Sequence, residues 1–161
     1  MKISSPTRVK HTYIQTLAAP PEAVFPLLCP VREAEWVAGW DPRLVISESG
    51  VAELDCIFIM PGQPHEAIWV ITRWEPQDYF IEFLKVTPAV TVGRIDIRLR
   101  PGEAQQTLAE VSYAYTALSE AGEQFIEQFT AEHYTAFMQE WEAELNHFLT
   151  TGQKKAGNPH P

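Results

Sequence analysis

Ile95, Ile97 and Leu99 alternate with Arg94, Asp96, Arg98 and Arg100, and Val111, Tyr113 and Tyr115 alternate with Glu110, Ser112, Ala114 and Thr116. A period of two with one apolar and one solvated side predicts β-strands over Val90–Arg100 and Thr107–Leu118, in an antiparallel sheet covered on one face. The charged side is a water-facing surface on which cross-strand pairs such as Arg98 with Glu110 can form. Five other runs read as strands: Val9–Ala18, Leu44–Glu48, Leu54–Met60, Glu66–Trp74 and Tyr79–Thr87. Turn residues separate most of these runs, among them Ser49-Gly50, Pro61-Gly62-Gln63-Pro64 and Pro101-Gly102-Glu103. Connections this short make hairpins rather than parallel crossovers. In the middle strands both sides are apolar (Ile68 and Val70 against Trp69 and Ile71), so alternation assigns no inward face there.

After Leu118 the period changes. One long helix is predicted from Ser119 to Thr151, with Tyr134, Phe137, Met138, Trp141, Leu145, Phe148 and Leu149 on a single apolar stripe. Ser119 is placed to cap it, Glu120 and Glu123 suit the positive end of its dipole, and Gly152 stops it. Such a helix of about 30 residues would run about 45 Å. Two short helices, Glu22–Leu28 and Val31–Val37, follow the first strand; Pro26 keeps the first of them short. The order predicts an α+β domain over residues 9–151. In it a curved antiparallel sheet of about seven strands wraps around the C-terminal helix. Residues 1–8 form a loose arm and 152–161 a mobile tail. A curved sheet and one helix leave space between them, so a cavity is expected there.

Composition narrows what such a cavity serves. The chain has 161 residues, 45% hydrophobic and 20% charged, with a formal net charge of −9. That is ordinary globular material, and the acidic balance argues against nucleic acid and against an anionic membrane surface. No run approaches the roughly 18 apolar residues of a membrane span, and the start lacks a signal-peptide apolar segment; a cytoplasmic protein is expected. Cys29 and Cys56 have no metal-binding spacing and read as small buried hydrophobes.

No catalytic or phosphate-binding motif occurs, and neither a cofactor nor a metal site is expected. His65 and Glu66, adjacent in an extended segment, face opposite sides and make no dyad. The aromatic supply carries more. Trp69, Tyr79, Tyr113, Tyr115 and Phe137 offer flat apolar walls with a few O–H and N–H groups, which is the chemistry of a small-molecule pocket. Trp36 and Trp40 read as a packing plug between helix and sheet or as an aromatic rim at the pocket mouth. His133, one turn before Phe137 at the edge of the stripe, is the candidate titratable group of the lining. Phe125 and Phe129 lie off the stripe, against the small helices or against a second copy in a homodimer.

The order of elements resembles the SRPBCC superfamily, also called START-like or birch-pollen-allergen-like. The residues that carry the resemblance are Ala19-Pro20-Pro21-Glu22-Ala23-Val24-Phe25 at the entry to the first helix and the segment from Cys29 to Trp40. Ile68-Trp69-Val70-Ile71-Thr72-Arg73-Trp74 and Thr116 to Glu123 add to it, and the last three segments are similar to a bacterial branch. The resemblance implies a helix-grip fold whose ligands sit between the curved sheet and the long helix. Three functions follow as expectations. The first is binding of a hydrophobic small molecule; the second is a polyketide cyclase/dehydratase-like enzyme in which a tyrosine or His133 moves protons. The third is a chaperone-activator-like interaction domain that uses its outer surface.

Overall fold

Hairpin connections dominate the sheet, as the short turns dictate. In a computed structural model, which describes residues 1–156, seven antiparallel strands pair in the order β1-β7-β6-β5-β4-β3-β2. They are β1 (Arg8–Leu17), β2 (Leu44–Ile46), β3 (Ile57–Met60), β4 (Ala67–Glu75), β5 (Phe80–Thr87), β6 (Thr91–Pro101) and β7 (Thr107–Ala117). Only β1 pairs out of sequence order, joining β7. Strand β3 begins three residues later than expected. Asp55 takes a left-handed backbone (φ 65°) and Leu54 is exposed, so the chain enters the sheet only after the turn.

The short helices are α1 (Pro21–Val24), which runs into a 3-10 turn over Phe25–Leu27, and a second 3-10 turn over Arg32–Glu35. Pro20 precedes α1 with extended geometry and Pro21 fills its first position, where a missing N–H costs nothing. No helix among the described residues is long and apolar enough to cross a membrane.

The long C-terminal helix is two helices. Helix α2 spans Glu120–Gln128 and α3 spans Ala131–Thr151, with Phe129 and Thr130 between them. The break is chemically complete. The His11 imidazole Nε2, from β1, pairs at 2.8 Å with the Phe129 carbonyl that ends α2. Thr130 then caps α3, its hydroxyl accepting from the His133 N–H at 3.1 Å. The expected ends hold. The Ser119 hydroxyl accepts from the Gly122 N–H, and Gly152 closes α3 in a left-handed conformation, φ 72°. Gly122 is required where it stands, because a Cβ there would lie 2.0 Å from the Val90 carbonyl oxygen. So α2 packs tightly on the β5–β6 turn while α3 swings across to β1.

Polar side chains fasten α3 to that edge strand. The Thr16 N–H donates to Glu142 at 2.6 Å, the Ala18 N–H donates to Asn146 at 2.8 Å, and Asn146 donates back to the Thr16 carbonyl at 2.9 Å. Buried Gln15 reaches the Met138 carbonyl at 3.1 Å. These bonds occupy backbone groups that an open edge would leave free.

Alternation in β6 and β7 is as expected: Ile95, Ile97, Leu99, Val111 and Tyr115 are buried. One pairing is corrected. Arg98 and Glu110 are register partners, but Glu110 meets Arg100 at 4.0 Å, and the Arg98 guanidinium lies over the Phe80 ring, 4.4 Å from its centroid. Both cysteines are free and buried, and burial raises the Cys56 thiol to about 11. Residues 152–156 follow α3 without regular structure, and the rest of the expected tail, 157–161, lies outside the described residues.

Candidate functional site

Register builds the site. A single row crosses all seven strands on the face toward the helices: Val45, Phe58, Trp69, Lys85, Gly93, Tyr115 and Val9. Lys85 is at its centre, on a strand face otherwise occupied by Ile81, Phe83 and Thr87. Across from Lys85, Gly93 has no side chain, and the Tyr115 ring fills the space. A Cβ on Gly93 would lie 2.7 Å from Tyr115 Cε1. The leaning ring brings the Tyr115 hydroxyl to 3.4 Å from the Lys85 ammonium. That ammonium also lies 5.2 Å from the centre of the Trp69 ring and 5.7 Å from that of Tyr115.

Rings enclose this row. Trp69 stacks on Phe58 (centroids 5.4 Å apart, planes at 16°), and Phe83 meets both edge-on. From the helices, Phe125 and Phe129 meet Tyr115 edge-on at 4.8 and 5.0 Å. Tyr113 packs with Tyr134 and Phe137, each at 5.7 Å. The rings do not seal the space, since Trp40, Met60, Trp69, Lys85, Tyr113 and Phe137 all keep part of their surface open. The result is an aromatic layer between sheet and helices with a partly open lining, the candidate recess.

Burial shifts its ionisable groups. Lys85 falls from 10.5 to about 8 because the recess disfavours its charge. Glu33, on the second 3-10 turn, rises from 4.5 to about 8 for the same reason. Both residues retain some open surface. The Tyr113 phenol is pushed well above its usual range, by burial first and then by Tyr115, Tyr134 and Glu33, which places Glu33 near the same ring. Burial thus biases the Glu33 carboxyl toward keeping its proton and makes the Lys85 ammonium easier to deprotonate than a free one.

The residues singled out from sequence fall into two groups. Trp69, Tyr113, Tyr115 and Phe137 stand together in the recess, and half-buried Trp40 reaches it through Phe58, 6.0 Å away. The other three stand apart. Trp36 is fully buried against Trp141, with its indole N–H on the Leu27 carbonyl at 3.1 Å, so it acts as packing. Tyr79 sits before β5, at the far end from Lys85, edge-on to Phe25 at 5.8 Å. His133 is exposed, beside Phe129 at 6.0 Å, in the first turn of the new helix α3. Phe125 and Phe129 belong to the recess rather than to an outer surface.

Lys85 and Glu33 carry the polar chemistry, and the sequence reading passed over both. A signal for Lys85 existed. The hairpin register Ile81↔Ile97, Phe83↔Ile95 carries the clear parity of β6 into β5 and turns Lys85 inward. Among the described residues no three His, Cys, Asp or Glu side chains gather as metal ligands. A separate concavity of about 450 Å³ lies on the opposite, solvent face of the sheet, lined in part by Arg8, Lys10, Leu84, Arg94 and Thr116. Its lining includes Val9, Gly93 and Tyr115 of the central row but none of the other aromatic residues.

Seven antiparallel strands gripping a C-terminal helix define the helix-grip class, the fold that the resemblance implied. Solved structures agree. Norcoclaurine synthase from Thalictrum flavum matches over 94% of this chain and 98% of its own, with a TM-score of 0.67 at 14% identity. The same enzyme in complex with dopamine and hydroxybenzaldehyde matches over 94% of this chain and 91% of its own, at TM-score 0.66 and 12% identity. CalU16 from Micromonospora echinospora matches over 94% and 88%, at TM-score 0.56 and 18% identity. At these identities the likeness is one of fold. No family model matches the chain, and no curated protein matches it in sequence.

Proposed function

We propose that this chain binds one apolar or aromatic small molecule in the recess between the sheet and helices α2 and α3. The observation that supports this most directly is the inner face of the sheet, where Trp69 and Lys85 in the central row and Tyr113 in the next one face the helices and still keep open surface. Side chains that served only as core would be sealed, as Ile71, Ile81 and Ile95 are. Apolar walls with a few oriented polar groups are the general make-up of small-molecule sites. Norcoclaurine synthase, of like fold, has been solved with two small aromatic molecules.

Native mass spectrometry of the purified protein, before and after denaturing extraction, tests the reading. A bound species of small mass, released on denaturation, is expected. The reading fails if the protein is empty and its melting point is unmoved by a panel of lipids, flavonoids and polyketide-like aromatics.

A cyclase-like enzyme is the second reading, and one observation favours it. Lys85 and Glu33 both titrate near 8, within the range where a side chain gives and takes protons at working pH. On that reading Lys85→Met and Glu33→Gln lower turnover of a bound polyketide-like substrate by at least tenfold. His133→Ala leaves turnover unchanged, since that ring is outside the recess.

A further inference from the structure

Among the described residues Lys85 pairs with no counter-charge. None of the ion pairs among the described residues includes it, and burial is the one influence on its titration. Its single hydrogen bond goes to the Tyr115 hydroxyl, which accepts at 3.4 Å. An ammonium has three donors, so two remain unspent. Having accepted from Lys85, the Tyr115 hydroxyl keeps its own proton to donate. The next residue along the row, Trp69, buries an indole N–H that finds no acceptor among the described residues. The middle of the aromatic row thus gathers unspent donors and one positive charge without an anion among the described residues. A buried cation in that position is costly until an anion pairs with it.

We infer that the ligand of the recess is an acid: a carboxylate seated against Lys85 and the Tyr115 hydroxyl, with an apolar or aromatic body along the Trp69 side of the row. This rests on the binding function proposed above and names its ligand class. A carboxylate offers two oxygens with about four acceptor sites, enough to take one bond from the ammonium and one from the phenol. A neutral alcohol of the same shape would accept from Lys85 but leave the charge uncompensated. Glu33 does not compete for the cation, because its carboxyl keeps its proton at neutral pH and Lys85 is not among the influences on it. The chain's net charge of −9 repels acids at long range, so the preference comes from this one enclosed cation rather than from the protein's overall field.

Two matched pairs of probes test the inference: decanoic acid with decanol, and 2-naphthoic acid with 2-naphthalenemethanol. Their affinities are measured by calorimetry at pH 7 on the full chain. The wild type is expected to bind each acid at least tenfold more tightly than its alcohol. In Lys85→Met, which keeps an unbranched side chain without the terminal ammonium, that ratio falls to near one. Tyr115→Phe keeps the ring over Gly93 and lowers the ratio about threefold, so the inference stays open to test even if the Lys85 variant does not fold. Equal binding of acid and alcohol by the wild type overturns the inference while leaving the binding function standing. So does a preference that survives in Lys85→Met. A wild type that binds none of the four probes also overturns the inference, and the binding function then stands or falls on the native mass spectrometry described above.

Discussion

The two halves of the sheet treat their outer faces differently. On β6 and β7 that face carries Arg94, Asp96, Arg98, Arg100, Glu110, Ser112 and Thr116, the polar surface expected where sheet meets water. On β2 to β5 it carries two aliphatic rows. One is Leu44, Ile59, Ile68 and Val86; the other is Ile46, Ile57, Val70 and Leu84. Leu44, Ile46 and Ile68 are 41%, 54% and 38% exposed. Behind both halves the inner face is apolar and aromatic. One half is therefore a two-faced sheet and the other is greasy on both sides, and Lys85 sits on β5, where they join.

The largest expected effect sets equal chemistry against unequal burial. Ile95→Ala, on the inner face and 1% exposed, empties a packed site and is expected to cost about 2–5 kcal/mol. Ile68→Ala, on the aliphatic outer face, gives up only what partial exposure leaves it, about 1 kcal/mol or less. Urea midpoints of the two variants decide it. Equal losses would mean that the outer rows are covered in solution and that the halves are less different than they look.

Gly93→Ala comes next, because it acts on the seam between the halves. The added methyl would have to displace the Tyr115 ring, which lies at 2.7 Å from the Cβ position. A loss of roughly 1–3 kcal/mol is expected. The Lys85–Tyr115 contact should go with it, which a change in tyrosine near-ultraviolet dichroism would report. An unchanged spectrum and midpoint would mean that the ring has room to spare.

The same difference between the halves explains what could be read from the chain. Strand count, hairpin order and the inward parity of β6 and β7 were legible because Ile95, Ile97 and Leu99 are separated by charges that only water accommodates. Parity in β4 was not, because Ile68 and Val70 lie on an outer face as apolar as the inner one holding Trp69 and Ile71. The site suffered in proportion. Tyr113 and Tyr115 came from the readable half, whereas Lys85 needs the register between β5 and β6 before its direction is known. The exposure of His133 was hidden for a different reason. Placing it on one continuous helix ignores Thr130, a capping residue whose bond to the His133 backbone starts a new helix.

The pH dependence of stability probes the inner face, where the halves meet. Glu33 titrates near 8 folded and near 4.5 unfolded, so between those values the folded state holds an extra proton. Stability then falls as pH rises toward 8, by at most about 1.4 kcal/mol per pH unit. Lys85 titrates near 8 folded and near 10.5 unfolded, so the unfolded state holds the extra proton above 8, and this contribution rises with pH. The two windows meet near pH 8 with opposite slopes. The measurement is the difference in unfolding free energy between wild type and variant across pH 5 to 10. Glu33→Gln should remove a decline below 8, and Lys85→Met a rise above it. A difference that is flat in pH for either variant would place that group in open water.

The smallest effect on stability is expected on the outer face of the aliphatic half. Ile46, on the short strand β2 at the open end of the sheet, is more than half exposed. Replacing it with lysine removes little burial, so stability should stay within about 0.5 kcal/mol of wild type. Behaviour between molecules should change more. A contiguous apolar surface beside an unpaired edge strand favours association of copies as concentration rises, and a charge on the edge opposes it. Light scattering over a concentration series should show less self-association for Ile46→Lys. A control on the polar half, Arg98→Lys, should leave it unchanged. If both variants associate like wild type, the aliphatic rows are inert toward other copies, and the contrast between the halves matters for reading the sequence but not for how molecules meet.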